Sequence, residues 1–394
     1  MKHTNNVISC RKCLYTSNHA FGITFNESGL CSGCLIHEEK NTIDWESKKN
    51  DLIKIVNKYK SKKNHHDCIV HVDSSAESFY TIYLVKHVLG LEPLLVSYNS
   101  HFYNNIGIEN LANLKTVFNC DFFQYSLNLI KYKSLVKESF FKYKHILWPY
   151  IAGKTSLPVR IAVQKKIPLI IWGGLQTIEQ VGMFSHHDEI QMSRWHRKEH
   201  ELFGIDENDF VKSANFVKDS DLDSVRYPDD FDIHQNGIIG IYLSNYFRWD
   251  PWSQNNYMLK YRFKPEDHKR SFDPFEYSGC SVFMGVHDLS KEIRRGYTKV
   301  VDQLSREIRF NRIDKRTAKI FLNNFKELPV NNINMFFDFL GIEQTSVDWI
   351  KKYFFNNKSQ QVNKKNLKSY NTFNIKSKYK PKKFFISYGK GIYL

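Results

Sequence analysis

No stretch of this 394-residue sequence approaches the roughly 18–20 consecutive apolar residues of a membrane span. Its first residues, MKHTNNVISCRKC, also lack the apolar run of roughly 7–15 residues that marks a secretory leader. A chain with neither is expected in the cytoplasm, where disulfides are rare. Acidic residues are absent from position 357 to 394, a stretch rich in asparagine and serine that carries ten lysines. Of the formal net charge of +16, all but +6 therefore sits in this tail. The rest shows no arginine-and-aromatic groove pattern, so nucleic acid is not an expected partner. The tail reads as a solvated extension, with attraction to anionic lipid or a polyanion as the alternative. No internal repeat is present.

What the chain does have is core material. Hydrophobic residues make up 42% and aromatic residues 15%, enough for one large domain or two ordinary ones. Four segments follow from the patterning: a cysteine-rich module at 1–45, an alternating α/β region at 46–210, an aromatic-rich α-helical region at 211–356, and the basic tail at 357–394. Leu52, Ile53, Ile55 and Val56 fall at helical spacing. Cys68, Ile69, Val70 and Val72 then read as a short buried strand. The polar loop DSSAES follows, and FYTIYLVKHVLG reads as a helix closed by Gly90. Residues 93–98, 121–125 and 167–174 supply further strands, and 106–118 a helix. Strands alternating with helices at this spacing predict an α/β fold, a parallel sheet with helices on both faces. Ligands of such sheets bind at the carboxyl ends of the strands, where DSSAES and Trp172-Gly173-Gly174 would lie.

Four of the seven cysteines form two close pairs, Cys10 with Cys13 and Cys31 with Cys34. The spacing is that of a zinc ribbon or knuckle, each C-x-x-C turn presenting two thiolates to one ion while Gly29 and Gly33 relax the backbone nearby. Four protein ligands leave no open position, which predicts a structural Zn2+ site; free cysteines or a redox pair are the alternatives. Cys68 reads as a small core residue, and Cys120 and Cys280 have no evident role. His186-His187-Asp188 and Arg194-Trp195-His196 read as ordinary polar-loop histidines.

The cysteine module, Ile43-Asp44-Trp45, the strand Asp67-Cys68-Ile69-Val70 and the loop after it together resemble the start of the N-acetyl sugar amidotransferases. These belong to the PP-loop ATP-pyrophosphatase superfamily and serve surface-polysaccharide and lipopolysaccharide biosynthesis, including O-antigen. The similarity runs roughly from residue 8 to 355. It takes in residues 91–98 and 107–114, Ile241 to Tyr246 with Trp249-Asp250, which resemble the family's strand and aromatic stretch, Met284 to Asp288, Arg295-Gly296-Tyr297, Asp302, and Arg306 to Arg309. The resemblance implies a PP-loop (HUP-like) fold whose loop, Ser-Gly-Gly-Lys-Asp-Ser in the family, binds the pyrophosphate part of ATP. Here the loop reads Asp73-Ser74-Ser75-Ala76-Glu77-Ser78, and only the last serine is kept. Ala76 replaces the lysine, Ser74 and Ser75 replace the glycines, and Asp73 adds a negative charge. Each change disfavours ATP. Glu77 stands for the family's aspartate as a Mg2+ ligand, and the helix N-terminus remains. Downstream, Gly174 stands where an acidic residue is expected, while Glu179 is kept.

The resemblance also implies the site and its chemistry. Asp73, Ser74, Ser75, Ser78, Trp172 and Gly173 would surround the nucleotide, and Glu77, Glu179 and Asp302 would be catalytic. His287, Asp288 and Arg309 would meet a nucleotide-activated sugar, with arginine forks for phosphate or carboxylate. An acetamido group on that sugar would become an acetamidino group, ATP activating the amide oxygen and ammonia displacing AMP. Ammonia would come from a partner glutaminase subunit, paired with a cyclase-like subunit, since this chain shows no glutaminase segment. Two other readings stay open: a non-catalytic or repurposed homologue that binds a sugar nucleotide or a partner enzyme, and an RNA-modifying PP-loop protein.

Overall fold

The computed structural model describes residues 7–61, 66–211, 215–276, 281–325, 330–343 and 346. Cys280 and the basic tail lie outside the described residues. Five short strands, Cys68–His71 (β1), Pro93–Tyr98 (β2), Phe122–Tyr125 (β3), Leu169–Trp172 (β4) and Ile239–Tyr242 (β5), form one sheet. All four pairings are parallel, in the order β3-β2-β1-β4-β5, so the winding reverses between β1 and β4. The sheet thus draws on residues on both sides of position 210.

Alternation along the strands decides which helix covers which face. Cys68, Val70, Leu95, Leu169 and Ile171 point to one side. There they pack with Leu52 and Val56 of helix Trp45–Asn57 and with Phe79 and Ile82 of helix Ala76–Tyr83. Ile69, Leu94, Val96 and Ile170 point to the other side, against Leu135 and Phe140 of helix Leu129–Tyr143 and Ala152, Leu157 and Val159 of helix Trp148–Lys165. Helix Ala76–Tyr83 begins directly after the DSSAES loop, with Ser75 capping it by accepting from the Ser78 amide at 3.3 Å. Beyond a π-turn at Leu84–Val88, the chain leaves the helix through Gly90 at φ +63°.

The carboxyl half adds helices Met284–Arg295, Lys299–Arg309, Lys315–Leu322 and Ile333–Leu340. The second and third of these bury Val300, Leu304, Ile308, Phe321 and Leu322 against Leu14, Tyr15 and the four clustered cysteines. Phe336, Phe337 and Leu340 of the last pack instead on Phe140. Among the described residues no helix is long and apolar enough to cross a membrane.

Candidate functional site

The divergence of β1 and β4 opens a crevice at the carboxyl edge of the sheet, the place where doubly wound sheets bind ligands. A cavity of about 180 Å³ lies there, walled by the loop 73–78, Trp172-Gly173-Gly174, Lys154 and Thr155 of helix Trp148–Lys165, and Glu201. Trp172 stands over its floor, stacked between His71 at 5.8 Å and Tyr242 at 6.4 Å. Burial pushes the His71 imidazole down to about 4, leaving it neutral near pH 7.

Within the loop, Asp73 takes the acceptor role. Its Oδ1 accepts from the Ser75 amide at 2.9 Å, from the Ser75 hydroxyl and from the Ser78 hydroxyl at 2.9 Å, and Tyr150 donates to Oδ2 at 3.4 Å. His71, Lys154 and these hydrogen bonds outweigh burial and hold its carboxyl below the ordinary value, so it is ionised. A fixed carboxylate therefore occupies donors that an incoming phosphate would use. Ser74 is buried beneath the loop. Lys154 has no carboxylate ion pair among the described residues; its ammonium lies over the Tyr150 ring at 5.7 Å and faces the loop.

Glu77 turns from the helix N-terminus toward β4. Its Oε1 accepts from the Gly174 amide at 2.8 Å, yet burial raises its carboxyl to about 7, with Asp73 adding to the rise. The two glycines make this approach possible: a Cβ on Gly173 would fall 2.6 Å from Glu77 Oε1, and one on Gly174 would fall 2.5 Å from Trp249 Nε1. Gly174, expected to be acidic, is thus fixed by its neighbours: the longer Glu77 side chain reaches its amide, and the Trp249 indole leaves no room for a side chain. Asp73 and Glu77 do not form a three-ligand cluster, so a magnesium ion here would depend on nucleotide oxygens, as that ion commonly does.

Glu179 lies at the end of the short helix Gln176–Glu179 and is ion-paired with the buried Lys40, whose Nζ also donates to the Trp249 carbonyl at 2.8 Å. Burial pushes Glu179 up and Lys40 down, and the pairing opposes both. Arg309 donates to the Glu179 and Gln180 carbonyls at 3.2 and 2.7 Å, and approaches Cys31 Sγ at 3.8 Å. Gly33 must lack a side chain here, because Gln180 O and the Arg309 guanidinium fill the space a Cβ would need. The four cysteines are all buried, with their sulfurs within 4.8 Å of one another. Cys10 to Cys34 is 3.9 Å and Cys13 to Cys31 is 3.6 Å, close to the ~3.8 Å edge of a tetrahedron of sulfurs at zinc–thiolate distance. Amides of Lys12, Cys13 and Cys31 point at Cys10 Sγ at 3.3–3.4 Å, as a thiolate acceptor requires. The quartet could hold a metal ion, and its soft, closed donor set fits zinc.

Two further cavities continue from the crevice. One of about 140 Å³ shares Ser75, Glu77 and Gln176 with it and is bordered by Glu179, Asp302, Arg306 and Arg309. A larger one, about 740 Å³, is reached past Gln176 and Gln180 and is bordered by Asp302, His287 and Asp288. Asp302 is ion-paired with Lys291 and lies 3.5 Å from His19 Nε2, which together with Lys299 hold it well below the usual carboxylate range. Asp288 accepts from the Lys299 amide at 2.7 Å, at the start of helix Lys299–Arg309, and pairs with Arg270 at 3.1 Å. His287 packs 5.4 Å from His145, and burial keeps both neutral.

All the residues expected at a site thus border one connected crevice, the cysteine quartet and buried Ser74 apart. Sequence reasoning did not reach Lys40, Lys154 or Arg294, and it singled out Trp249 and Arg295 only through the resemblance. The partners of Lys40, Glu179 and the Trp249 carbonyl, are too distant in sequence for any spacing rule to connect them. No protein-family model and no curated protein matches this sequence.

Proposed function

We propose that the chain is an N-acetyl sugar amidotransferase-like enzyme of the PP-loop type, which turns an acetamido group on a nucleotide-activated sugar into an acetamidino group. The observation that carries this reading is the crevice between β1 and β4, where the loop 73–78, the Gly173-Gly174 strand end and Lys154 face one cavity. Lys154 offers, from a different helix, the cation that Ala76 cannot. Ser75, Ser78 and Lys154 would hold the phosphates of ATP, which supplies a leaving group for the amide oxygen. The sugar's amide oxygen attacks the α-phosphorus and pyrophosphate leaves; ammonia then adds to the amide carbon and AMP departs with that oxygen. One proton is released, and Glu77, titrating near 7 at the same cavity, is positioned to take it. Ammonia would come from a partner glutaminase subunit working with a cyclase-like subunit, and the cysteine quartet would hold a structural Zn2+.

Asp73 favours a second reading, a non-catalytic or repurposed homologue that binds a sugar nucleotide or a partner enzyme, because its ionised carboxylate fills the loop. Calorimetric titration with ATP and magnesium separates the two. The enzyme reading expects micromolar binding that weakens at least tenfold in Lys154→Ala, and an acetamidine product by mass spectrometry from ATP, ammonium and a nucleotide-activated N-acetyl sugar. No binding by the unaltered chain, with binding recovered in the double variant Asp73→Ser, Ala76→Lys, would overturn it in favour of the second.

A further inference from the structure

The 740 Å³ cavity has the size of a ligand pocket, within the range of about 300–1,000 Å³ typical of small-molecule sites. Its lining mixes two kinds of residue. Tyr143, Trp148, Ile151, Leu202, Phe203 and Ile205 are the apolar and aromatic part. Phe203 is held there at φ +56°, a left-handed conformation disfavoured for a bulky side chain, with its ring stacked on Phe21 at 5.2 Å. The charged part is Lys291, Arg294, Arg295 and Lys299, together with Glu276, Asp288 and Asp302.

The three acids are already answered: Asp288 by Arg270, Asp302 by Lys291 and His19, and Glu276 by Lys299 and Arg306. Arg294 and Arg295 are not, since neither has a carboxylate partner among the described residues. Arg294 Nε reaches only the Ser290 carbonyl of its own helix, at 3.3 Å. Burial and the neighbouring Arg295 push the Arg294 guanidinium down to about 10, the behaviour of a cation short of a counter-ion. His145 and His287 in the same lining are neutral and compensate nothing. Two adjacent guanidinium groups and several aromatic rings bordering one cavity match an anion with a flat, partly apolar body.

We infer that this cavity binds the diphosphate of a nucleotide-activated sugar, with Arg294 and Arg295 on the phosphates and the Trp148–Phe203 wall against the nucleoside, as an anion site separate from the DSSAES loop. The inference rests on the amidotransferase reading for its choice of ligand, and it places the acceptor. The cavity opens past Gln176 and Gln180 toward Glu77, so a sugar attached to the diphosphate extends into the crevice where its acetamido group would react.

Calorimetry on the full chain with UDP-N-acetylglucosamine, UDP and free N-acetylglucosamine tests the assignment. The first two are expected to bind and the free sugar not. Arg294→Gln and Arg295→Gln should each weaken binding at least tenfold while leaving the melting temperature and the affinity for ATP unchanged. Phe203→Ala should weaken UDP in parallel. The assignment is overturned if neither UDP ligand binds the folded chain, or if both bind with affinity unaltered in the two arginine variants. Binding that depends on the arginines, without acetamidine formation from ATP and ammonium, would uphold this site and sink the catalytic reading alone.

Discussion

Glu77 shows how one side chain's surroundings set its chemistry. Burial at the crevice lifts its carboxyl from an ordinary 4.5 to about 7, against the single hydrogen bond from Gly174 that favours the charge. In the folded chain it holds its proton across a range where the unfolded chain has lost it. Its contribution to stability is therefore complete below about pH 4.5 and is lost as pH rises to about 7. The span is of the order of 1–3 kcal/mol for a group that is only partly buried. Denaturant titrations from pH 4.5 to 7.5 should show this decline, and Glu77→Gln should flatten it; an equal slope in both proteins would refute the shift. At this scale the sequence revealed which residues depart from the motif it resembles but not why. Ala76 and Gly174 both read as losses. Gly174 proves to be a packing requirement set by Trp249, which is 75 positions away and carries no local signal.

Among elements, Arg309 links the helix Lys299–Arg309 both to the cysteine module, on which Leu304 and Ile308 already pack, and to the segment after β4. Arg309 places a buried cation beside the sulfur cluster and carries two carbonyls of the segment holding Glu179. A quartet of thiolates around a divalent ion keeps a net negative charge, which is what a buried guanidinium needs nearby. Removing the ion should therefore disturb the crevice as well as the module. Elemental analysis is expected to give about one zinc per chain. Cys34→Ser should cost more than about 4 kcal/mol and expose Glu179 and Gln180 to faster amide exchange. A folded, metal-free protein with unchanged exchange at those positions would refute the linkage. The cysteine spacing was legible because both pairs are local turns. The bonds of Arg309 were not, since they run to the Glu179 and Gln180 carbonyls, to the Tyr15 ring and to a cysteine 278 positions away.

At the scale of the whole molecule, four strands of the sheet were readable as apolar runs between turn signals, with bounds within two residues of those observed. The fifth, Ile239–Tyr242, lies in the segment read as helical, where the resemblance alone marked a strand, at Ile241 to Tyr246. Four residues amid aromatic helices give no period of their own, and pairing with β4 sets their bounds. Its downstream neighbour Asp250 enters a buried charge network through Arg312 to Glu307, Arg306 and Asp273, tying the sheet to the carboxyl helices. Arg312→Leu would remove the guanidinium that Asp250 and Glu307 share, leaving Glu307 to Arg306 and Asp250 to the Ser253 hydroxyl, and should cost about 3–5 kcal/mol. Tryptophan fluorescence and circular dichroism should still report one shared unfolding transition, and two separated transitions would show that the network does not couple the halves. The packing of Leu14, Tyr15 and the cysteines on Leu304, Ile308 and Phe321 has a consequence for synthesis. The surface that shelters the first module is made by codons read almost three hundred residues later. During translation its thiols must wait, reduced and uncovered, for most of the polypeptide to leave the ribosome, so metal loading and oxidation compete for longest at the end made first.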